Sequence, residues 1–418
     1  MTAAPFSVAV TCRLCAAPLR HLVADLGTTP LANAYLRADQ LADAEPRYPL
    51  RALLCTACFL VQLEVLADPK AVFGNHYEYF SSYSTTLLQH SQAFANMIAA
   101  RLRLQPGDRV VEIASNDGYL LQPLGSKGLD VLGIEPAPNV AEAAIRKGLP
   151  TMVRFFGTEV ASELAAEGRH ARLIVANNVL AHVTELNDFI AGLRILLAPG
   201  GVITLEFHHL LSLVTKRQFD TIYHEHFQYF SLAAAQNALA AHGLTVTDVE
   251  EIPSQGGSLR VYAQHAADVT ESPGPRVAAV LAREDAAQLK EVTGYASLAG
   301  QMAAVKHDLL SFLANARTSR RSVVCYGAAA KDSTLLNYCG VGVDLIDYAV
   351  DRNPHKQGLF MPGSHLPICH PDKVAETRPD YLLVLPWNLR EEVIGEMSQV
   401  RSWGGQFVVP IPELQIHG

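Results

Sequence analysis

Long apolar runs, clustered basic residues and tandem repeats are all missing from this sequence, and each absence removes a class of function. No stretch approaches the roughly 20 consecutive apolar residues of a membrane-crossing helix. The N-terminus MTAAPFSVAVTCRLC lacks a basic region followed by a long apolar core, so no secretory signal is expected. Charged residues make up only 18% of the chain, the formal net charge is −8, and Lys and Arg do not form runs. That balance argues against a nucleic-acid groove or an anionic membrane as partner. The expectation is a soluble, cytoplasmic protein that acts on small molecules, as a monomer or a weak homo-oligomer. With 418 residues, 49% of them hydrophobic, the chain has material for two or three cores rather than one.

Cysteine is sparse but patterned. Of seven, Cys325, Cys339 and Cys369 are scattered and read as small buried hydrophobes. The other four spell CRLC, then thirty-nine residues, then CTAC. Cys12, Cys15, Cys55 and Cys58 are thus two Cys-x-x-Cys knuckles, each able to give two thiolates to one tetrahedral zinc. The competing readings are unrelated pairs or a redox motif, and a redox pair needs no duplicate. Four protein thiolates leave no open coordination position, so such a zinc is structural.

The chain divides into three parts. The zinc segment occupies 1–70, after which the aromatic stretch NHYEYFSSYSTT opens a second module at 71–255. Residues 87–103 have helical apolar spacing, Pro106-Gly107-Asp108 makes a turn, and RVVEIASNDGYLLQPL reads as strand, tight loop and helix start. VLGIEPAPNVAEAAIRKG, RLIVANNVLAHV and LLAPGGVITLEF continue an alternating α/β pattern with a parallel sheet. GGSLRVY is expected as a strand at the entry to a third part, 256–418. There an Ala-rich helical stretch precedes a second doubly wound sheet built from RRSVVCYGAAAK, DLIDYAVDRNP and YLLVLPW.

The loop after the first strand of the second module has one Gly and no G-x-G-x-x-G, so it does not suit a dinucleotide pyrophosphate. Glu112 and Asp117 would repel a pyrophosphate, whereas the sulfonium and amino groups of S-adenosylmethionine are cationic. Asn116, Asp117 and Gly118 can bring the loop close to such a ligand, and Glu135, at the end of the next strand, can accept hydrogen bonds from two ribose hydroxyls. Asn177, Asn178 and His182 fall where the fourth strand leaves the sheet and point at the same crevice. Either Asn could instead cap a helix.

The combination of CRLC…CTAC, HYEYFSSYS, EIASNDGYLL, IEPAPNVA, NNVLAHV, EFHHL, YHEHFQYFSL, GGSLRVY and YGAAAK…DRNPHKQG resembles the sugar C-methyltransferases, in order and over essentially the whole chain. The resemblance implies a small zinc-binding N-terminal domain, a central Rossmann-like class I methyltransferase domain and a C-terminal Rossmann-like α/β domain. It implies S-adenosylmethionine as cofactor and a nucleotide-linked 4-ketosugar as substrate, usually a dTDP-sugar methylated at C-3 and less often at C-5. By resemblance His226 matches the catalytic base, Tyr223 and Glu225 match residues beside the substrate, and Tyr77 and His182 match further active-site positions.

The chemistry agrees with the pattern. Carbon attacks a methyl group only as an enolate, so a base must remove a proton beside the ketone while a donor holds the oxygen. Histidine suits the first task and tyrosine the second. Tyr223 and His226, three residues apart, would share one face of a helical turn, with His224 and Glu225 pointing elsewhere. His208 stands as the second candidate base, and His209 beside it could equally serve. In the last part, Lys331 at a helix N-terminus, with Arg352 and Lys356, is a candidate for holding the nucleotide diphosphate, and Asp351 mimics a ribose-binding acid. The alternatives are a nicotinamide-dependent sugar oxidoreductase, weakened by the missing glycine fingerprint, and a zinc-ribbon adaptor, weakened by the acidic balance.

Overall fold

The computed structural model describes residues 6–8, 11–67, 80–269 and 272–418. Tyr77 lies outside the described residues. Among those described, no helix is long and apolar enough to cross a membrane.

The N-terminal part is built on short strands. β1 (Phe6–Val8) pairs with β5 (Val65–Ala67), while β2 (His21–Thr29), β3 (Tyr48–Leu54) and β4 (Val61–Leu63) form an antiparallel meander. Alternation along β3 buries Leu50, Ala52 and Leu54 on one face, as a half-covered sheet requires.

The central sheet has seven strands: β6 (Arg109–Ile113), β7 (Asp130–Ile134), β8 (Thr151–Met152), β9 (Ala171–Asn177), β10 (Leu197–His208), β12 (Leu244–Ile252) and β13 (Ser258–His265). Their order is β8-β7-β6-β9-β10-β13-β12, parallel except where β13 runs against both neighbours. Val110, Val111, Ile113, Leu173, Ile174 and Val175 are all buried, the continuous apolar run of a strand covered on both faces. Strand order reverses between β6 and β9, so the carboxyl ends of these strands open onto a ligand crevice. GGSLRVY forms the expected strand, β13, and it pairs with both β10 and β12, so the central sheet takes in residues 258–265.

β11 (Gln228–Tyr229) does not join the central sheet. It pairs antiparallel with β4, adding an edge strand to the N-terminal meander. The segment that carries YHEHF is therefore docked on the zinc-segment sheet.

The C-terminal sheet comprises β14 (Val323–Tyr326), β15 (Ala349–Val350), β16 (Ile368–Cys369), β17 (Tyr381–Val384), β18 (Gln406–Val409) and β19 (Gln415–His417), in the order β16-β15-β14-β17-β18-β19. Helix Leu298–Thr318 leads into it, burying Met302, Val305, Leu309, Leu313 and Ala316 at helical spacing. Cys325 and Cys339 are buried in this core, as the scattered cysteines suggested. One apolar cluster joins Leu26 and Leu50 of the meander to Leu309, Leu335 and Val350, so the first and last parts share a core.

Candidate active site

The two cysteine knuckles fold alike. Cys12 O accepts from Ala16 N and Cys55 O from Phe59 N, and Ala16 and Phe59 both take left-handed backbone. Their four sulfurs lie within 4.8 Å of one another, with Cys12–Cys58 at 3.4 Å and Cys15–Cys55 at 3.5 Å. Sulfurs on a zinc tetrahedron stand about 3.8 Å apart, and a disulfide would need about 2.05 Å. The donor set fits zinc with no position left for a substrate.

Glu135 leaves β7 with its carboxyl buried. Oε2 accepts from Asn116 N at 2.9 Å and Oε1 from Ala137 N at 2.8 Å. Each oxygen keeps a lone pair for a ligand. Burial, with repulsion from Asp117, raises this carboxyl to about 7 in spite of both N–H donors. Glu112 is more extreme: burial and the charges of Glu135 and Asp117 push it well above the carboxylate range, and its Oε2 is buried without a hydrogen-bond partner. Asp117 Oδ1 is likewise unpartnered. Glu135 offers a ribose two acceptor oxygens, and a loop without the glycine fingerprint gives a pyrophosphate no backbone cradle, so S-adenosylmethionine fits better than a nicotinamide dinucleotide.

A cavity of about 610 Å³ opens at these strand ends. Asn116, Glu135, Asn177 and Asn178 line it, whereas Glu112, Asp117 and Gly118 are not among its lining residues. Glu112 sits behind the wall on β6. Asp117 instead meets Lys147 Nζ at 3.3 Å. Gly118 has φ +80°, so the left-handed backbone of the turn rather than ligand approach demands the glycine.

The YHEHF segment closes the other side of the cavity as a turn, not a helix, with His226 N donating to Tyr223 O at 2.9 Å. The turn still brings the expected pair together: Tyr223 Oη and His226 Nε2 are 2.6 Å apart. His226 Nδ1 lies 2.9 Å from Thr221 O. A carbonyl only accepts, so Nδ1 carries the hydrogen and Nε2 the lone pair, toward which the Tyr223 hydroxyl donates. Burial first, then the neighbouring His182, pushes His226 well below its ordinary value, and burial brings His182 down to about 4. Both rings are neutral at pH 7, with centroids 4.7 Å apart, and His182 Nδ1 donates to Glu225 O.

Glu225 does not point elsewhere, as the helical reading of the spacing would have it: its carboxyl lines the cavity, buried enough to rise to about 7. His224 does point away, donating from Nε2 to Pro49 O. His208 also lines the cavity, 2.6 Å from Gln218 Oε1. His209 is structural, since Glu284 holds it at 2.7 Å while capping helix Leu232–Ala240 through Leu232 N and Ala233 N.

From the C-terminal part, Lys331 and Lys356 reach the cavity and Arg352 does not. Arg352 is committed to Glu392 at 2.7 Å and Glu396 at 2.5 Å. Lys331, in the first turn of helix Ala330–Cys339, bonds Asn388, and Lys356 Nζ donates to Ala328 O at 3.0 Å. Asp351 binds Ala328 N and Asn353 N with its carboxylate, a loop-holding role. Sequence reasoning missed Asn33, whose Nδ2 donates to both Glu225 oxygens at 2.8 and 2.9 Å, and Gln228, Phe155 and Phe156 in the lining. Nothing local in PLANAYL marks Asn33 as a site residue.

Comparison with known proteins agrees with this arrangement. A model described as "Putative zinc binding domain" matches residues 12–73, one described as "Methyltransferase domain" matches 88–249, and one described as "C-methyltransferase C-terminal domain" matches 253–412. The C-methyltransferase NovU of Streptomyces niveus is 35% identical over 405 residues, 97% of this chain and 96% of its own. The chain belongs to the C-methyltransferase family. A ubiquinone biosynthesis O-methyltransferase of Cereibacter sphaeroides shares 29% identity over 27% of this C-methyltransferase and 46% of its own length. The magnesium protoporphyrin IX methyltransferase of Synechocystis, with bound S-adenosylhomocysteine, superposes at TM-score 0.33 and 19% identity over 42% of this chain and 82% of its own. The C-methyltransferase sets its methyltransferase sheet, with a crevice that suits S-adenosylmethionine, between a four-cysteine segment and a C-terminal α/β domain.

Proposed function

We propose that this enzyme methylates C-3 of a dTDP-linked 4-keto-deoxysugar through an enolate, with His226 as the base. The observation that carries the reading is the Tyr223–His226 pair, in one cavity with Glu135 and Asn177. It joins proton-abstracting groups to a cofactor crevice, as carbon methylation requires and methylation of a ready nucleophile does not. Likeness to a C-methyltransferase along the whole chain supports it.

In this reading Nε2 of His226 takes the C-3 proton and Tyr223 turns its hydroxyl from Nε2 to the ketone oxygen. Burial disfavours a lone imidazolium, but here its positive charge arises together with the enolate's negative charge, so the pocket gains no net charge. When bound, S-adenosylmethionine supplies the electrophilic methyl group. Glu135 holds its ribose hydroxyls, and Asn116, Asn177 and Asn178 line its bed. Glu225 and His182 border the sugar, Tyr77 joins them by family resemblance, and Lys331 and Lys356 hold the diphosphate. Zinc on Cys12, Cys15, Cys55 and Cys58 serves the fold.

The test is turnover of a panel of 4-ketosugar nucleotides with S-adenosylmethionine. A product heavier by one methylene unit, with the methyl on C-3 by NMR, is expected. A methyl on C-5 would move the reaction to the other carbon made acidic by the same ketone. Methyl on oxygen or nitrogen, or turnover of no 4-ketosugar, would overturn the reading.

A further inference from the structure

The zinc-segment sheet does more than lie beside the reacting segment; it grips it. His224 donates to Pro49 O, Asn33 holds Glu225, and β11 adds to β4 through Gln228 opposite Gln62. At the centre of this contact is Arg13, the residue directly after Cys12. Its Nη2 donates to Leu63 O at 2.7 Å and its Nη1 to Phe227 O at 2.9 Å. Phe227 follows His226, and its peptide is pinned on both sides, since its N donates to Ala181 O and its O also accepts from Leu63 N. Ala181 precedes His182. Gln228 Nε2 then donates to Leu180 O and Val183 O at 2.7 Å each, closing the loop around His182.

The grip is tied to the metal knuckle through one amide. Gln62 Oε1 accepts from Arg13 N at 3.1 Å, and Gln62 Nε2 donates to Cys12 Sγ at 3.1 Å. The knuckle itself does not require an arginine. In the matching CTAC knuckle, with the same turn and the same left-handed residue, the corresponding position is an exposed Thr56. Arg13 instead brings a guanidinium into a half-buried site beside the thiolates and directs its hydrogen bonds at two backbone carbonyls, which fixes the geometry of the strands that carry them.

We propose that Arg13 is a positioning residue through which the zinc knuckle fixes where the His226 ring stands. The inference rests on His226 as the base, and it makes the metal segment part of the catalytic architecture rather than an appended stabiliser.

The experiment compares zinc-loaded, full-length Arg13→Met, Arg13→Lys and Gln228→Leu with His226→Ala. Arg13→Met should keep about one zinc per chain, bind S-adenosylhomocysteine within about threefold of normal and show little change in KM, yet lose about 10- to 100-fold in kcat, the scale of a displaced reacting group. The ring nitrogen NMR signals of His226 should move. Arg13→Lys, which can still hold one carbonyl, should recover part of the rate. Gln228→Leu should repeat the kcat loss with zinc retained. Arg13→Met with zinc bound and kcat within about twofold of normal would overturn the proposal, since a displaced base costs far more. If Arg13→Met loses zinc, Gln228→Leu decides, and normal kcat there overturns it. His226→Ala separates the two ideas: turnover above about a tenth of normal removes His226 as base, whatever Arg13 does.

Discussion

Affinity for S-adenosylhomocysteine should rise with pH through neutrality, and Glu135 is the reason. Its carboxyl is raised to about 7, first by burial and then by Asp117, against the opposing pull of two backbone donors. Ribose hydroxyls donate, so they need the ionised form, and below the raised pKa binding must first expel a proton. With half the sites protonated at pH 7, about ten are protonated for each one ionised at pH 6, a cost of about 1.4 kcal/mol per unit. Affinity at about pH 6 should therefore be roughly tenfold weaker than on the plateau above about pH 8. Calorimetry in buffers of different ionisation heat should detect the released proton at the acidic end. Glu135→Gln removes the titration and flattens the profile. It also turns an amide N–H2 toward one of the N–H donors of Asn116 and Ala137, which should weaken binding at all pH values by about 1–3 kcal/mol. Wild-type affinity that does not change between about pH 6 and 8 would refute the reasoning.

Cys55→Ser should release zinc and lower thermal stability, because binding free energy at a four-thiolate site is also folding free energy; metal analysis and a melting scan check it. The acid limb of kcat/KM assigned to His226 should lie well below 6.5, since burial and His182 favour the neutral ring, which is the form that acts as base. Glu225 and Glu135, both raised to about 7, titrate nearer neutrality, so the profile should be taken in Glu225→Gln at S-adenosylmethionine concentrations that saturate at every pH, where a limb at 6.5 would contradict the burial argument. Arg352→Ala should leave substrate KM unchanged and cost at most about 1 kcal/mol of stability, as its partly exposed ion pairs are screened by water. Lys331→Ala should raise KM, as steady-state kinetics would show.

What was legible in the sequence was local. Apolar strands such as RVVEI and RLIVAN announce a covered parallel sheet, and a glycine-poor loop between two acids separates a cationic cofactor from a pyrophosphate. Two equal Cys-x-x-Cys units announce a four-sulfur cluster of the kind that suits zinc. What was not legible depends on partners far along the chain. Arg352 looked available until Glu392 and Glu396, forty and forty-four residues on, neutralised it. Asp117 looked like a cofactor acid until Lys147 arrived from the end of helix Pro138–Arg146. Spacing put Tyr223 and His226 together correctly but for a helical reason, and the turn that does so aims Glu225 inward as well. Asn33 and Arg13 act across some two hundred residues, a pairing that no periodicity encodes.

The central claim is that a buried histidine generates a carbon nucleophile, and turnover of His226→Ala tests it most directly. With a 4-ketosugar nucleotide and S-adenosylmethionine, the variant should lose about 100- to 10,000-fold in rate. Its affinity for S-adenosylhomocysteine should stay near normal, and Tyr223→Phe should slow the enzyme while leaving measurable exchange of the C-3 hydrogen with solvent deuterium. A folded His226→Ala enzyme that methylates at more than about a tenth of the wild-type rate still has its base; that result would contradict the account.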